Sequence, residues 1–304
     1  MLFTHRQVMV IATAFVAACS FDGGDEPEYP SPAVRAPFRA AMDEQACPGE
    51  DDDTRAARLA IARVRAMAGL PALRCDTAAS EAARGHCHYL VVNDELSHFQ
   101  TMGRPAFTAV SFEARLAQRS FVDAPASEVI ASFSGAPAIE GPRGFLDSVY
   151  HRAPFLRWET VSFGYGHEAR CVTIDFGKAL DDEPPPDRLV VWPPDGATSV
   201  PRSFHAAAEV PNPVPGRSVV GYPVSLFGAP STHVLSVEMT DARGPVDAIV
   251  VTATNDPAHL VRAGEAYLIP KSPLARNGDY RVRFVLGTER GSSVVETRFT
   301  TGLE

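Results

Sequence analysis

Residues 158–176 read WETVSFGYGHEARCVTIDF, and this stretch decides the fold class of the first half of the chain. Trp158 to Tyr165 and Arg170 to Phe176 are rich in β-branched and aromatic residues, and Gly166 to Glu168 between them is typical of a hairpin turn. Before the hairpin, apolar residues recur at helical spacing, as from Ala56 to Met67, and the N-cap residues Asp51, Asp76 and Ser111 each predict the start of a helix. A further helix is predicted over about 141–150. Helices followed by an antiparallel hairpin predict an α+β domain over residues 47–178, with helices covering a small sheet.

The second half of the chain has a different period. Residues 179–188 contain three consecutive prolines, Pro184 to Pro186, which favour an extended linker. Beyond them, apolar and polar residues alternate in short segments separated by Gly, Pro, Asn and Asp, which predicts an all-β sandwich over residues 189–304. Tyr280, after the turn Asn277-Gly278, is either a tyrosine corner or an ordinary core tyrosine. The predicted strands are 189–192, 218–227, 234–239, 246–252, 266–269, 279–286 and 293–300.

The N-terminal residues indicate export. Residues 1–18 pass from a weakly basic start into an apolar run too short to span a bilayer, as in a signal peptide. The run ends before Cys19 in a pattern similar to a bacterial lipobox, so we expect Cys19 to carry a lipid anchor. The alternative is an ordinary secretory signal cut after Ala18. Residues 19–46 read as a flexible tether, and Ser20 points weakly to the outer membrane or cell surface.

Four further cysteines, an even number in an exported chain, predict two disulfides. The alternative is that one or more are free buried thiols. A helix of about 17 residues, roughly 25 Å long, separates Cys47 from Cys75 and argues against that pairing. The two remaining pairings of Cys47, Cys75, Cys87 and Cys171 stay open.

The first half contains an ordered set of residues and short motifs: Ala62–Arg65, Gly69–Leu73, Asp76, Ala83, His86, Ser97–His98, Arg115, Ser127–Ile130, Phe145–Ser148, His151–Arg152 and Asp175–Gly177. In order and spacing this set resembles the CAP superfamily, which contains cysteine-rich secretory proteins, antigen 5 and pathogenesis-related proteins and whose domain is also called SCP-like. The resemblance covers about residues 50–177 and implies an α-β-α sandwich. It also implies a cleft with two histidines and a glutamate, here His98, His151 and Glu128, able in some members to hold a divalent metal such as zinc. Ser148 stands where a second glutamate is common.

Two functions follow from this pattern, and binding is favoured over catalysis. The first is an exported, lipid-anchored envelope module that binds a lipid, glycan or protein ligand. The alternative is a metal-dependent, protease-like hydrolase using His98, Glu128 and His151. A third possibility is a polar cleft in which these three side chains only stabilise the fold.

Composition and motifs restrict the function further. The chain has a net charge of −9 and no basic face, which argues against nucleic-acid binding. No motif of a serine hydrolase or of a helix-borne zinc protease is present, so no residue is assigned as catalytic. His86 shares its helix face with apolar residues and is predicted to be a hydrogen-bonded core histidine. Pro193–Ala197 and Arg298–Thr301 resemble bacterial Ig-like domains, which implies that the second half is a spacer or adhesion module.

Overall fold

The computed structural model describes residues 46–132, 139, 144–179, 188–288 and 291–303. The signal segment, Cys19 and the tether up to residue 45 lie outside the described residues, as do most of the predicted linker and residues 141–143. The first half contains the helices α1 (Asp52–Met67), α2 (Thr77–Asn93), α3 (Phe112–Gln118) and α4 (Ala153–Leu156), and the strands β1 (Arg74–Cys75), β2 (Ala124–Ser132), β3 (Thr160–Glu168) and β4 (Cys171–Lys178).

Short polar side chains start three of these helices. Asp51, Asp76 and Ser111 each accept a hydrogen bond from a backbone N–H of the first turn of α1, α2 and α3, as N-cap residues do. The helices predicted from these caps are confirmed. A further helix predicted over about 141–150 is wrong in its described part, where only a 3₁₀ turn, Phe145–Asp147, is formed. The proline and glycine residues on either side of that turn leave too few consecutive residues for an α-helix.

The four strands form one sheet in the order β1-β3-β4-β2, with helices on both faces. Val172, Ile174 and Phe176 of β4 point to one face and join the same apolar cluster as Ile61 and Val64 of α1. Alternate residues of β3 and β4 point to the opposite face, which α2 covers. This is the three-layer α-β-α arrangement that the resemblance implies.

Two glycines of β3 allow α2 to lie directly on the sheet. A Cβ atom at Gly164 would come within 2.1 Å of the backbone carbon of Ala79, and one at Gly166 within 2.3 Å of that of Ala83. No side chain fits in such a gap. The close approach brings residues of α2, including His86, down onto the strand that carries Asp175.

The second half is built from strands, as predicted. The strands are β5 (Val190–Trp192), β6 (Ala197–Val200), β7 (Ser203–Phe204), β8 (Val220–Gly221), β9 (Val224–Phe227), β10 (His233–Asp241), β11 (Gly244–Pro245), β12 (Ala248–Thr252), β13 (Glu265–Pro270), β14 (Asp279–Thr288) and β15 (Gly291–Thr301). All seven predicted strand segments contain a strand of the structure. A five-stranded sheet has the order β11-β10-β14-β15-β6 and a four-stranded sheet the order β12-β13-β9-β5, with β7 and β8 as a separate pair.

Tyr280 has the contact expected of a tyrosine corner. Its side chain is buried, and its hydroxyl accepts a hydrogen bond of 2.7 Å from the backbone N–H of Ala275, five residues upstream. That contact, a tyrosine hydroxyl bonded to nearby upstream backbone, is the defining feature of the corner.

The two halves share one apolar core. Phe155 and Phe176 of the first half belong to the same buried cluster as Leu226 and Phe284 of the second. A buried ion pair crosses the contact, with Arg157 Nε 2.6 Å from Glu265 Oε1. The second half is therefore packed against the first through apolar and charged groups together.

Two disulfides link Cys47 to Cys75 and Cys87 to Cys171. The prediction that Cys47 and Cys75 do not pair is wrong. It treated the length of α1 as the distance between the two cysteines, but the chain turns at Gly69 and returns in extended form. Residues 69–75 cover about 23 Å at about 3.3 Å per residue, which matches the helix length and brings Cys75 back beside Cys47.

None of the helices in the described ranges combines the length and apolar character needed to cross a bilayer.

Candidate functional site

His98 and Glu128 meet as predicted from the resemblance. His98 Nδ1 lies 2.8 Å from Glu128 Oε1, although the two residues are thirty positions apart. Glu128 is almost completely buried, whereas the His98 side chain is 44% exposed. An ionised carboxylate only accepts hydrogen bonds, so Nδ1 of the imidazole donates. In the neutral ring Nε2 is then an acceptor, and it has no hydrogen-bond partner among the described residues.

Arg115 holds the other oxygen of Glu128. Its guanidinium donates to Glu128 Oε2 in a short hydrogen bond and also reaches the backbone carbonyl of His98 at 3.4 Å. Burial raises the pKa of Glu128, but the hydrogen bond from His98 and the nearby His86 and Arg115 outweigh burial and lower that pKa. Glu128 is therefore ionised, and we call His98, Glu128 and Arg115 the His98 site.

His86 lies beneath this site as a neutral core histidine. Its Nε2 donates to the carbonyl of Ser97 at 2.9 Å, and its Nδ1 accepts from the amide of Gln100 at 3.0 Å. Burial is the largest effect on the group and lowers the pKa of His86 to about 4. The prediction of a hydrogen-bonded core histidine is confirmed, and His86 helps to fix the loop that carries His98.

Asp175 adds a second buried carboxyl group. It stands opposite Glu128 in the antiparallel pairing of β2 and β4 and is fully buried. Neither of its oxygens receives a hydrogen bond from a donor in the described part of the chain. Burial, and then the negative charge of Glu128, raise the pKa of Asp175 well above its usual range. Asp175 is therefore the protonated member of the pair and Glu128 the ionised one.

His151 has a different partner from the one predicted. Its Nδ1 lies 3.0 Å from Oε1 of Glu209, a residue of the second half. The same carboxylate accepts backbone hydrogen bonds from Val149, Tyr150 and His151 at 2.9, 2.7 and 3.2 Å. His151 is thus bound to Glu209, not to Glu128.

The predicted metal ligands do not fit a metal ion. Within the described ranges, no three side chains of His, Cys, Asp or Glu form a group with metal-binding spacing, and His98, Glu128 and His151 are no exception. We therefore derive no chemistry through zinc or another divalent ion.

Large apolar side chains surround His98 in the sequence and are exposed in the structure. Leu96, Phe99 and Met102 are 57%, 62% and 76% exposed. The loop that carries them is nevertheless ordered by hydrogen bonds, among them Thr101 N–H to the Tyr89 hydroxyl at 2.9 Å and Gln100 N–H to the Val110 carbonyl at 2.9 Å. An ordered loop that holds apolar side chains in solvent is typical of a binding surface.

Two residues of these sites have no functional signal in the sequence. Glu209 follows a short 3₁₀ turn, Ala206–Ala208, in a stretch with no recognisable motif. Asp175 belongs to the resemblance, but nothing in the sequence distinguishes it from a surface aspartate. The only available signal is that Asp175 alternates with the apolar residues of a predicted strand, which places it on the face that also carries Glu128.

Comparisons with known proteins give weak structural likenesses. No protein-family model and no curated protein matches the chain. A crystal structure of an extracellular protein containing a SCP domain from Bacillus anthracis str. Ames is similar at 25% identity and a TM-score of 0.34, over 40% of this chain and 38% of that one. CopC from Methylosinus trichosporium OB3b is similar at 15% identity and a TM-score of 0.24, over 37% of this chain and 88% of that one.

Proposed function

We propose that the chain is an exported protein of CAP type that binds an amphipathic ligand, a lipid of the cell envelope, at the His98 site. The observation that carries the proposal is the 2.8 Å hydrogen bond between His98 Nδ1 and Glu128. It holds a half-exposed imidazole with Nε2 as a hydrogen-bond acceptor for a ligand. A donor group of the ligand, such as a head-group hydroxyl or ammonium, would bind there.

The apolar surroundings favour a lipid over a glycan. Leu96 and Phe99 lie within two residues of His98 in the sequence and are more than half exposed, so the loop that carries His98 offers apolar surface to a ligand. Covering that surface is favourable for hydrocarbon and unfavourable for a sugar, whose many hydroxyl groups need polar partners. One acceptor next to apolar side chains matches the chemistry of a lipid with a polar head group.

Export is supported by the two disulfides and by the N-terminal pattern. Disulfides persist in oxidising compartments, and both pairs here have ordinary Cα–Cα distances of 5.5 Å. A lipid anchor on Cys19 would keep the protein at the membrane, where envelope lipids are its nearest ligands. We propose this localisation together with the ligand class.

Binding of a short-chain phosphatidylglycerol, kept monomeric, tests the function. Calorimetric titration of the full-length protein should give binding about tenfold weaker for His98→Ala, which is the effect of losing one hydrogen bond of about 1 to 1.5 kcal/mol. His88→Ala is the matched control. His88 Nδ1 also lies 3.1 Å from a glutamate, Glu168, and its side chain is 55% exposed. Equal loss in both variants, or no loss in His98→Ala, would contradict the proposal.

The alternative function is a hydrolase in which His98 acts as a general base without a metal. A carboxylate that holds Nδ1 and leaves Nε2 free is the arrangement that orients a catalytic imidazole. In that case the protein turns over an activated ester such as p-nitrophenyl acetate, chelators do not affect turnover, and His98→Ala abolishes it. The binding function instead leaves ester turnover at the level of the His98→Ala variant.

A further inference from the structure

Glu209 belongs to the second half of the chain, but its carboxylate accepts hydrogen bonds from residues of the first half. Its side chain is only 2% exposed. All four hydrogen bonds recorded for its carboxylate come from residues 149–151, and three of the four donors are backbone N–H groups. A buried carboxylate needs such donors, because leaving it unpaired is costly. The four donors thus give both oxygens of Glu209 hydrogen-bond partners.

The side chains next to His151 are also held by the second half. Residues 149–152, which we call the His151 segment, lie between a 3₁₀ turn and α4 and form no regular helix or strand. The hydroxyl of Tyr150 donates to Asp256 in a short hydrogen bond. Arg152 donates to the carbonyl of Pro223 at 2.6 Å and to Ser225 Oγ at 2.9 Å. Every polar side chain from 150 to 152 therefore has a partner in the second half.

The Glu209 contact also determines which nitrogen of His151 carries the proton. Because the carboxylate only accepts, Nδ1 is protonated and Nε2 is the acceptor. The ring lies against Phe145, at 5.7 Å between ring centres, and 19% of the His151 side chain is exposed, so the ring is partly open to solvent. Glu128 accepts a hydrogen bond from Nδ1 of His98 in the same way, but there both residues belong to the first half.

We infer that Glu209 is a positioning residue, by which the second half sets the conformation of the His151 segment and presents His151 Nε2 as a second hydrogen-bond acceptor for a ligand. The second half is thus a working part of the binding surface and not a spacer. This inference does not depend on the lipid proposed for His98. Its first requirement is that a residue from the other half holds the ring of His151 in the Nδ1–H form.

The ring-nitrogen NMR signals of His151 test the inference in the full-length protein. For the neutral ring we expect the Nδ1–H form to predominate, whereas free histidine favours the Nε2–H form. Glu209→Gln should increase the Nε2–H form, because a single amide oxygen replaces an acceptor group that serves four donors. Glu209→Asp, which keeps the carboxylate, should restore most of the Nδ1–H form.

Glu265→Gln is the matched control. It removes another buried carboxylate of the same contact, the partner of Arg157, without touching His151. The inference predicts no change in the His151 signals of this variant. It is overturned if wild-type His151 is in the Nε2–H form, or if Glu209→Gln and Glu265→Gln change the ring equally. If both variants fail to fold, the wild-type signal alone decides. Lipid binding at His98 is measured separately, so failure of that proposal leaves this result unaffected.

Discussion

Glu128 and Asp175 lie directly opposite each other on neighbouring antiparallel strands, yet among the described residues His98 and Arg115 donate to Glu128 and not to Asp175. The two buried carboxyl groups carry one negative charge between them, because like charges this close cannot both remain ionised in a buried site. Arg115 compensates that charge. The hydrogen bond from Arg115 fixes the Glu128 carboxylate, and that carboxylate in turn holds the imidazole of His98.

The Asp175 carboxyl group should give stability an unusual pH dependence. Its pKa is raised in the folded state, so the folded protein binds more protons than the unfolded chain between the ordinary aspartate pKa of about 3.9 and the raised value. Its contribution to stability is present below that window and decreases as pH rises, by up to about 1.4 kcal/mol per pH unit. Asp175→Asn, which stays neutral, should remove this loss.

Denaturant unfolding of both proteins at several pH values measures the effect. The wild-type free energy of unfolding should fall relative to that of Asp175→Asn as pH rises from about 4 towards the raised pKa of Asp175. Parallel curves would show that Asp175 is ionised in the folded protein.

Replacing Arg115 should leave the buried charge of Glu128 without a compensating cation. We expect Arg115→Met to lower the free energy of unfolding by about 3 to 5 kcal/mol, because the variant leaves a buried carboxylate without its cation. In Arg115→Met/Glu128→Gln the charge is gone, so much of the loss should be recovered. A double variant no more stable than Arg115→Met would mean that Arg115 contributes mainly by packing.

The helices and strands follow from local signals in the sequence, but the sites do so only in part. The caps Asp51, Asp76 and Ser111 and the two-residue period of the second half are local, and the elements they predict are formed. The contact between His98 and Glu128 could be predicted only from the resemblance to a family. The contact between His151 and Glu209 depends on how the two halves of the chain pack against each other, and no local sequence pattern predicts that packing.

The failed exclusion of the Cys47–Cys75 disulfide has the same cause, since it depended on the path of the chain after α1 and not on the helix itself.

Removing either disulfide should destabilise the protein by an amount that rises with the logarithm of the length of the loop that the disulfide closes. The separations of 28 and 84 residues correspond to about 3.6 and about 4.6 kcal/mol in the chain-entropy model. Thermal or denaturant unfolding of Cys47→Ser/Cys75→Ser and Cys87→Ser/Cys171→Ser should therefore show the larger loss in the second pair. The reverse order would point to strain or to structure in the unfolded chain.

The shared core predicts that the two halves unfold together. The chain has two tryptophans, Trp158 in the first half and Trp192 in the second, so Trp192→Phe and Trp158→Phe leave one reporter in each half. We expect the two fluorescence transitions in denaturant to coincide, because the apolar cluster and the pair of Arg157 with Glu265 join the halves. Separate midpoints would mean that the halves are independent domains.

The ring nitrogens of His98 provide the most direct test of the proposed function. In the wild-type protein at mildly alkaline pH, the ring should be in the Nδ1–H form that Glu128 imposes. Titration with monomeric short-chain phosphatidylglycerol should shift the Nε2 signal while the Nδ1–H form persists. If calorimetry shows that the lipid binds and the Nε2 signal of His98 does not move, the ligand binds elsewhere and the proposed function is wrong.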